Sequence, residues 1–499
     1  MIYLARFIIE LVTPLHCGGG EDDGFDQPVV RDAFGLYRLP GSTVAGLLRR
    51  EAGRLAPDDP EAVAELFGRL GPRHEDGRGS QIWCHDARLL DFESGRPADL
   101  KKMAGLEVQM PLGPYIRDHV RLSNLEVGEA AKGGTAETGG KFDEEYVPAG
   151  ARFALEFFLD GWSGEPSPQA VAMFKKLCAA VKAGAVRFGG KAAEGFGEVK
   201  ALESKLRRFD LKSEAGLAGW LNLSEGPGFA EAEGERLEIA GYDRPPTGQG
   251  LSGRLRIPLV GDGPLLVGGG VILPEARDSQ GSEEEADLVF YREPFFDYGT
   301  GRAIWRKVVP GSSLRGLLRH RARRVVQALT AADAPANTII AGLFGEVDSG
   351  DQGRPGKLSV ADAPLPESPG VRVQHVAIDR FTGGALDAHL FDETPLWRNG
   401  LELELRLAFE GLNATEAAVL AQALADLLTG QAAVGGGGNR GHGFLKLKKS
   451  EAPGGQTLAG LKGQMEWDGE FFRPADGGGP PETWLARLDQ ALAELEDKP

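Results

Sequence analysis

The chain has 499 residues, which exceeds the usual size of a single hydrophobic core and predicts two domains with connecting segments. Its formal net charge of −17 excludes a protein whose whole surface attracts phosphate, so any role in nucleic-acid binding must depend on local basic stripes. Three cysteines without CxxC spacing exclude a disulfide framework and a cysteine zinc site. We therefore expect a reducing, cytoplasmic setting, with neither a signal peptide nor a membrane span.

The first half predicts, in chain order, a strand, a glycine loop and a helix. An apolar run ends in three glycines at residues 18–20, and Asp26 then begins the segment DQPVVRD. The block LPGSTVAGLLRR follows, in which Ser42 is the predicted N-cap and the leucine spacing predicts one buried helix face. Further blocks read LFGRLG, HVRLSN and FDEEYVP, and the half closes with glycine-rich residues 186–200.

The second half repeats these blocks in the same order. Residues 254–270 form an apolar run ending in three glycines, and Asp287 begins DLVFYRE. VPGSSLRGLLRH then predicts a helix with Ser312 as its N-cap, and LFGEVD, HVAIDR and FDETPL follow before glycine-rich residues 432–448. A duplicated series of motifs in one order is hard to obtain by chance, so the chain is predicted to carry two copies of one domain.

Strands, a capped helix, further strands, a second helix and a closing strand predict an α+β domain on a mainly antiparallel sheet. We predict copy one over residues 1–205 and copy two over residues 251–450. A Gly/Pro-rich connector is predicted over residues 206–250. The tail, residues 451–499, contains PETWLARLDQALAELE, which predicts a short docking helix.

The PGSSLRGLLR helix, the HVAIDRFTGGA segment, FDETPL and GGGGNRGHGF resemble the RAMP superfamily, specifically the backbone subunits of type III CRISPR effector complexes. Two such domains in one polypeptide resemble the tandem fusion of subtype III-D. The resemblance implies two tandem ferredoxin-like (RRM-like) RAMP domains with inserted loops and β-hairpin thumbs. It also implies that the chain binds a guide CRISPR RNA, admits a complementary target RNA and assembles with other effector subunits.

The same resemblance implies an acidic residue, in the loop after the first glycines, that supports metal-dependent cleavage of the target RNA. Asp26 and Asp287 occupy this position and are the candidate catalytic pair. A carboxylate beside a scissile phosphate can hold Mg²⁺ or another divalent cation while a neighbouring 2′-hydroxyl attacks in line. The alternative is that both are solvated loop acids with no chemical role.

Candidate RNA contacts lie on the glycine loops and on the helices that follow PGS. Helix N-termini offer free N–H groups to phosphate, and arginines spaced by four residues form a basic stripe. The alternatives are an exposed charged helix face and tight β-turns. The candidates are Gly18, Gly19, Gly20, Ser42, Arg49, Arg50, Arg121, Lys191, Gly268, Gly269, Gly270, Ser312, Ser313, Arg315, Arg319, Arg323, Arg380, Asn439, Arg440 and His442.

The two copies differ in residue type at two places in the motifs. Copy one reads HVRLSN where copy two reads HVAIDR, so it retains Arg121 but lacks the Asp379–Arg380 pair. His16 is aligned with Val267 when the motifs of the two copies are compared. The absence of a second histidine predicts a structural role for His16.

Two further functions stay open. One is a structural backbone subunit that binds guide RNA and partners without cutting. The other is a guide-processing enzyme of the same superfamily, which requires a His/Tyr/Lys constellation near the glycine loop.

Overall fold

The computed structural model describes residues 1–20, 26–69, 77–122, 136–161, 164–223, 234–242, 251–261, 263–268, 286–329, 333–346, 353–368, 370–397, 400–448, 466–467 and 472–473. The chain forms two compact units. Unit 1 comprises residues 1–192, 196–245 and 294–304, and unit 2 comprises residues 193–195, 246–293 and 305–499.

The core of unit 1 is an antiparallel sheet in which β1 lies between β7 and β8. The strand order is β2-β4-β7-β1-β8-β9, and β3 also pairs with β7. The strands are β1 (Ile2–Leu11), β2 (Arg38–Leu39), β3 (Ile82–Cys84), β4 (Ala87–Leu89), β7 (Arg152–Asp160), β8 (Val199–Phe209) and β9 (Glu235–Leu237).

Helices cover both faces of this sheet, which explains why β1 is almost continuously buried. On β7, alternate residues are buried, and Phe157 packs edge-on against Phe174 of a helix. Trp220 packs on Phe158 and Phe209 from the other face. The helices of unit 1 are α1 (Gly41–Leu55), α2 (Pro60–Phe67), α3 (Ala98–Met103), α4 (Pro168–Lys182) and α5 (Glu214–Leu221).

Part of the predicted connector is folded and not a linker. Residues 206–209 complete β8, and α5 and β9 follow within unit 1. The apolar side chain of Trp220 gives α5 its place, because it is packed between aromatic rings of the sheet. Composition alone did not predict this folded segment, because glycine and proline are frequent in the residues around it.

Unit 2 repeats the antiparallel arrangement, with a four-stranded sheet in the order β13-β17-β10-β18. β10 pairs with β17 along its length, and β17 alternates buried leucines with exposed charges. The elements of the second half are β10 (Leu251–Gly261), β11 (Arg292–Asp297), β12 (Arg302–Val309), α6 (Gly311–Leu329), α7 (Asp333–Phe344), β13 (Leu358–Val360), β14 (Ala363–Pro364), β17 (Leu401–Leu412), α8 (Ala414–Leu428), β18 (Leu445–Leu447), β19 (Glu466–Trp467) and β20 (Phe472–Arg473).

Each copy also carries a two-stranded hairpin that forms its own sheet. In unit 1 it consists of β5 (Ile116–Leu122) and β6 (Ala136–Glu145), and in unit 2 of β15 (Val373–Ile378) and β16 (Ala385–Glu393). These hairpins are the expected thumbs. The fold is therefore α+β, with two tandem ferredoxin-like domains, as predicted.

The prediction that Ser42 and Ser312 cap their helices is wrong. The helices begin one residue earlier, at Gly41 and Gly311, and Pro40 is the N-cap of α1 without a side-chain bond. A carboxylate from a neighbouring segment takes the capping role in both copies. Gly41 N donates to Asp86 Oδ1 at 2.7 Å, and Gly311 N donates to Asp362 Oδ1 at 2.6 Å.

Candidate functional site

The acidic loop of unit 1 is held close to the first glycines by backbone pairing. Gly19 N donates to Pro28 O at 2.9 Å, and Val30 N donates to Cys17 O at 2.8 Å. A Cβ at Gly19 would lie 3.0 Å from Val29 O, so this close approach favours glycine. The chain after Asp26 therefore runs back alongside the glycine loop and brings Asp26 to the base of the thumb hairpin.

Asp26 and Asp143 form a reciprocal pair of hydrogen bonds, which we call the aspartate clamp. Asp26 N donates to Asp143 Oδ1 at 2.9 Å, and Asp143 N donates to Asp26 Oδ2 at 3.0 Å. In unit 2, Asp287 N donates to Asp392 Oδ1 at 2.8 Å, and Asp392 N donates to Asp287 Oδ2 at 3.0 Å.

The repeated clamp shows that the two predicted acids are equivalent in structure as well as in motif. Their partners, Asp143 and Asp392, were not among the candidates predicted from the sequence. The signal was present, because FDE recurs at residues 142 and 391.

The clamp of unit 2 includes an arginine contact. In unit 2 the N–H of Asp287 and the guanidinium of Arg372 hold the pKa of Asp392 below its ordinary value.

Asp26 and Asp287 are themselves exposed. Within the described part of the chain, Oδ1 of each accepts no hydrogen bond, so one carboxylate oxygen per unit is left facing outward.

The described residues contain no group of three or more His, Cys, Asp or Glu side chains arranged to hold a metal ion. Each loop instead offers one carboxylate oxygen. This is a partial fit for Mg²⁺, which often binds one or two carboxylates and completes its shell with substrate phosphates and water.

In each copy a fully buried glutamate follows the clamp aspartate of the thumb strand. It lies close to basic side chains. Glu144 lies 3.3 Å from Lys191 Nζ and 3.5 Å from His16 Nδ1. Glu393 lies 2.7 Å from Arg440 Nη2, 3.0 Å from His375 Nε2 and 3.4 Å from His442 Nδ1. Because an unpaired buried carboxylate is costly, these contacts tie the closing glycine loop to the base of the thumb.

The buried glutamate and the clamp lie on opposite faces of the unit 2 hairpin. Asp392 pairs with Gln374, whereas Phe391 pairs with His375 one position further along. Successive strand residues point to opposite faces, so Glu393 shares the face of Phe391 and His375. His375 stacks on Phe391 there, with ring centroids 5.1 Å apart. The glutamate cluster is therefore a support for the loop, separate from the outward oxygen of Asp287.

The closing glycine loops are shaped largely by the chain's own backbone. Gly197 and Gly443 both have positive φ, and a Cβ there would lie 1.8 Å from Phe188 O and 2.0 Å from Val434 O, respectively. This close packing accounts for these glycines without a ligand. The exposed Asn439 and the partly exposed Lys191 remain candidate donors on the loops.

The structure corrects the alignment of His16. Gly190 N donates to His16 O at 2.8 Å, and Gly436 N donates to Leu266 O at 2.8 Å, so the counterpart of His16 is Leu266 and not Val267. The same register places His442 opposite Phe196. Burial lowers the pKa of His442, partly offset by the nearby Glu393 carboxylate.

The helix N-termini are less open to phosphate than the motif predicts. The first N–H of α1 and of α6 already binds a carboxylate, Asp86 or Asp362, whose negative charge would repel phosphate. Ser42, Ser312 and Ser313 lie within the first turn of these helices. Their contact with RNA stays a prediction.

The arginine stripe on α6 packs toward α7. Arg315 donates to Phe344 O at the last residue of α7, and Arg323 donates to Asn337 Oδ1 at 2.6 Å. Arg319 makes no hydrogen bond or ion pair within the described residues, and burial lowers the pKa of Arg315 and of Arg319. On α1, Arg49 and Arg50 are exposed.

The remaining candidates are scattered. Gly18 and Gly268 form backbone bridges to Val29 and Phe290, and Gly20 is exposed with positive φ. Arg380 lies at the turn of the unit 2 thumb, 5.3 Å from the ring of the exposed Phe381. Arg121 lies on β5, but its side chain is outside the described residues, as are Gly269 and Gly270.

The fold and the site together define a class: tandem ferredoxin-like domains, each with a thumb hairpin, a glycine loop and an acidic loop. The chain matches the RAMP superfamily over residues 8–200 and 262–446, and it belongs to that superfamily. The two matched regions are the two copies recognised from the repeat.

A curated relative is similar to part of the chain. It is the CRISPR system Cms endoribonuclease Csm3 of Methanocaldococcus jannaschii, with 27% identity over 213 residues. The alignment covers 78% of that protein but 40% of this chain. In the described part of the chain, no helix combines the length and apolar character needed to cross a membrane.

Proposed function

We propose that this chain is a guide-RNA-binding backbone subunit of a type III CRISPR effector complex that cleaves complementary target RNA with one acidic loop per unit. The observation that carries the proposal is the repeated aspartate clamp. In both units it fixes one carboxylate at the base of the thumb and leaves one oxygen facing outward.

The chemistry follows from that fixed oxygen. With a target phosphate beside it, the preorganised carboxylate of Asp26 or Asp287 would hold a divalent cation, for which Mg²⁺ is the proposed ion, and that cation would supply stabilisation of the charge that develops on the phosphate. The clamp supplies the orientation, because Asp143 and Asp392 hold the backbone and the second carboxylate oxygen of Asp26 and Asp287. The outward oxygen is then the atom available for the ion.

The Methanocaldococcus relative supports the reaction class, since it is named an endoribonuclease of a CRISPR system. We extend that activity to this chain as part of the proposal, together with guide RNA, target RNA, other effector subunits and a cytoplasmic location.

A structural subunit without cleavage is the second candidate. One observation favours it: the second oxygen of each aspartate accepts a backbone N–H, which gives Asp26 and Asp287 a purely structural use. Guide processing has less support. Among the described residues, the basic side chains nearest the closing glycine loops all contact a buried glutamate. These side chains are Lys191, Arg440 and His442.

The assembled complex tests the proposal. Co-expressed with guide RNA and partner subunits, the chain should co-purify with RNA, and the complex should cut an end-labelled complementary target with Mg²⁺ but not with chelator. The lone chain should not hold RNA tightly at high salt, because its net charge is −17. RNA retention without magnesium-dependent cuts would leave the structural subunit as the function.

A further inference from the structure

The two thumb hairpins differ in charge at one position beside the aspartate clamp. In unit 2, Arg372 immediately precedes β15 and lies across the hairpin from the residue two positions after Asp392. In unit 1, the residue at the same position relative to Asp143 is Ile116. Arg372 and Ile116 are both exposed, so this position accommodates either a charged or an apolar side chain.

Arg372 contacts the clamp of unit 2 directly. Its Nε donates to Asp392 Oδ2 at 2.6 Å, and its Nη2 contacts the same oxygen. The other oxygen of that carboxylate, Oδ1, accepts the N–H of Asp287. One carboxylate therefore separates the guanidinium from the residue that carries the outward oxygen of unit 2.

The clamp of unit 1 lacks this compensation. Within the described residues, Asp143 forms no ion pair, and its carboxylate accepts only the N–H of Asp26. The arginine that follows the acidic loop, Arg31, binds Leu112 O and the carboxylate of Glu145 instead. The basic side chains that contact the buried glutamates are present in both units, so they do not distinguish the two clamps.

A positive charge close to a carboxylate weakens the binding of a cation there, and the repulsion of a divalent ion is twice that of a monovalent one. The guanidinium of Arg372 lies one carboxylate and two hydrogen bonds away from Asp287. This separation is on the order of the Debye length of about 8 Å at physiological ionic strength. Salt therefore screens the repulsion only in part.

We propose that Arg372 lowers the affinity of the unit 2 acidic loop for its divalent cation, so that the unit 2 cut requires more Mg²⁺ than the unit 1 cut. The inference rests on the proposed function, because the cation and the two cuts belong to it. Arg372 acts through Asp392, which makes it a positioning residue. The two copies thus share one clamp but differ in their metal requirement.

The test titrates Mg²⁺ into the assembled complex and follows the two products of an end-labelled target separately. Asp26→Asn and Asp287→Asn identify the product of each unit. We call the Mg²⁺ concentration that gives half of the maximal product the midpoint of that unit. In the wild type, the midpoint of unit 2 should be about threefold above that of unit 1, as expected for one exposed, partly screened charge.

Exchange variants isolate the arginine from the other differences between the hairpins, such as Asp118 opposite Asp143 where unit 2 has Gln374. Arg372→Ile, which installs the unit 1 residue, should lower the unit 2 midpoint about threefold. Ile116→Arg should raise the unit 1 midpoint by a similar factor. Arg372→Lys keeps the charge and should keep the wild-type midpoint.

The matched control is Arg354→Ile, which removes an exposed arginine of unit 2 outside the hairpin and the acidic loop. It should change neither midpoint.

A second readout does not depend on cutting. The complex is loaded with a target of 2′-deoxynucleotides, which lack the attacking hydroxyl, and Fe²⁺ is titrated with ascorbate and peroxide. Hydroxyl radicals then cleave the polypeptide near bound iron, and fragments from cuts near Asp26 and Asp287 report the two units separately. The Fe²⁺ concentration that gives half of the maximal unit 2 fragments should fall about threefold in Arg372→Ile.

A unit 2 midpoint that rises in Arg372→Ile would make the arginine a support of the clamp. Loss of the unit 2 product at every Mg²⁺ concentration would make it a phosphate contact. Either result, or unchanged midpoints in both exchange variants, would overturn the proposal. Failure of the proposed function is distinguishable, because the wild type would then give no magnesium-dependent product, while the iron readout would still report the two affinities.

Discussion

At the residue scale, each aspartate clamp combines orientation with an outward carboxylate oxygen. Asp26 and Asp287 were identifiable in the sequence because they recur in the duplicated motif and because the family resemblance implies an acidic residue there. Asp143 and Asp392 were not identifiable as partners, because the clamp depends on how the thumb strand approaches the loop. The predicted helix caps were wrong for the same reason. Asp86 and Asp362 reach the start of the helix from a segment distant in sequence, whereas Ser42 and Ser312 are only neighbours in sequence.

His442 provides a prediction about pH. Burial holds its pKa in the folded protein below the ordinary value of about 6.5, so the folded state binds the proton less readily than the unfolded state. Stability present above that ordinary value should therefore be lost as the pH falls through it. His442→Phe, which installs the residue that copy one has at Phe196, should reduce the fall in melting temperature between pH 7.5 and 5.5.

The control for this prediction is His389→Phe on the exposed strand of the thumb. Calorimetry of the full chain at both pH values should show the wild-type fall in this variant. An identical pH dependence in His442→Phe and wild type would mean that His442 does not contribute to acid destabilisation.

At the element scale, periodicity and motif order predicted the strands and the helices, because each depends on local pattern, and the family resemblance implied the thumbs. They did not predict what the elements pack against. The arginine stripe on α6 has the expected spacing, but Arg315 and Arg323 bind α7, a partnership that sequence spacing does not show.

The caps of α1 and α6 are predicted to differ in their contribution to stability. Asp362 is buried, whereas the side chain of Asp86 is 43% exposed. Asp362→Ala should lower the free energy of unfolding by about 2 kcal/mol and Asp86→Ala by about 1 kcal/mol or less. Asp362→Asn keeps an acceptor for Gly311 N and should retain most of the stability. Equal losses in the two alanine variants, measured by urea unfolding, would contradict this.

The arginines of the α6 stripe are predicted to have two roles, RNA binding and packing against α7. Changing Arg315, Arg319 and Arg323 together to Ala should weaken assembly on guide RNA regardless of its sequence, as expected for phosphate contacts. Arg319→Ala alone should weaken assembly with little change in melting temperature, because Arg319 has no hydrogen-bond partner among the described residues. Arg315→Ala should also lower the melting temperature. Normal assembly of the triple variant would make the stripe a packing feature only.

At the scale of the whole molecule, the duplication is the main result. The sequence predicted two copies, and the superfamily match over residues 8–200 and 262–446 confirms them. The predicted boundaries at 205 and 251 follow the motifs. Residues 193–195 belong to unit 2 and residues 294–304 to unit 1, an assignment that no composition shift marks.

The central claim is that each unit cuts target RNA at its own phosphate. Asp26→Asn and Asp287→Asn are the sharpest variants, because an amide oxygen can still accept the clamp N–H while the outward charge is removed. Neither change should impair guide loading or target binding. Asp143→Asn and Asp392→Asn, which keep the clamp acceptor and leave the outward oxygens intact, are the matched controls.

The decisive measurement is a denaturing gel of end-labelled target RNA, incubated with the assembled complex in Mg²⁺ and in chelator. Asp26→Asn should remove one magnesium-dependent product, Asp287→Asn should remove a different one, and the double variant should remove both while the matched controls keep the full ladder. A full ladder in both single variants, with target binding intact, would show that these aspartates are structural acids and would contradict the account.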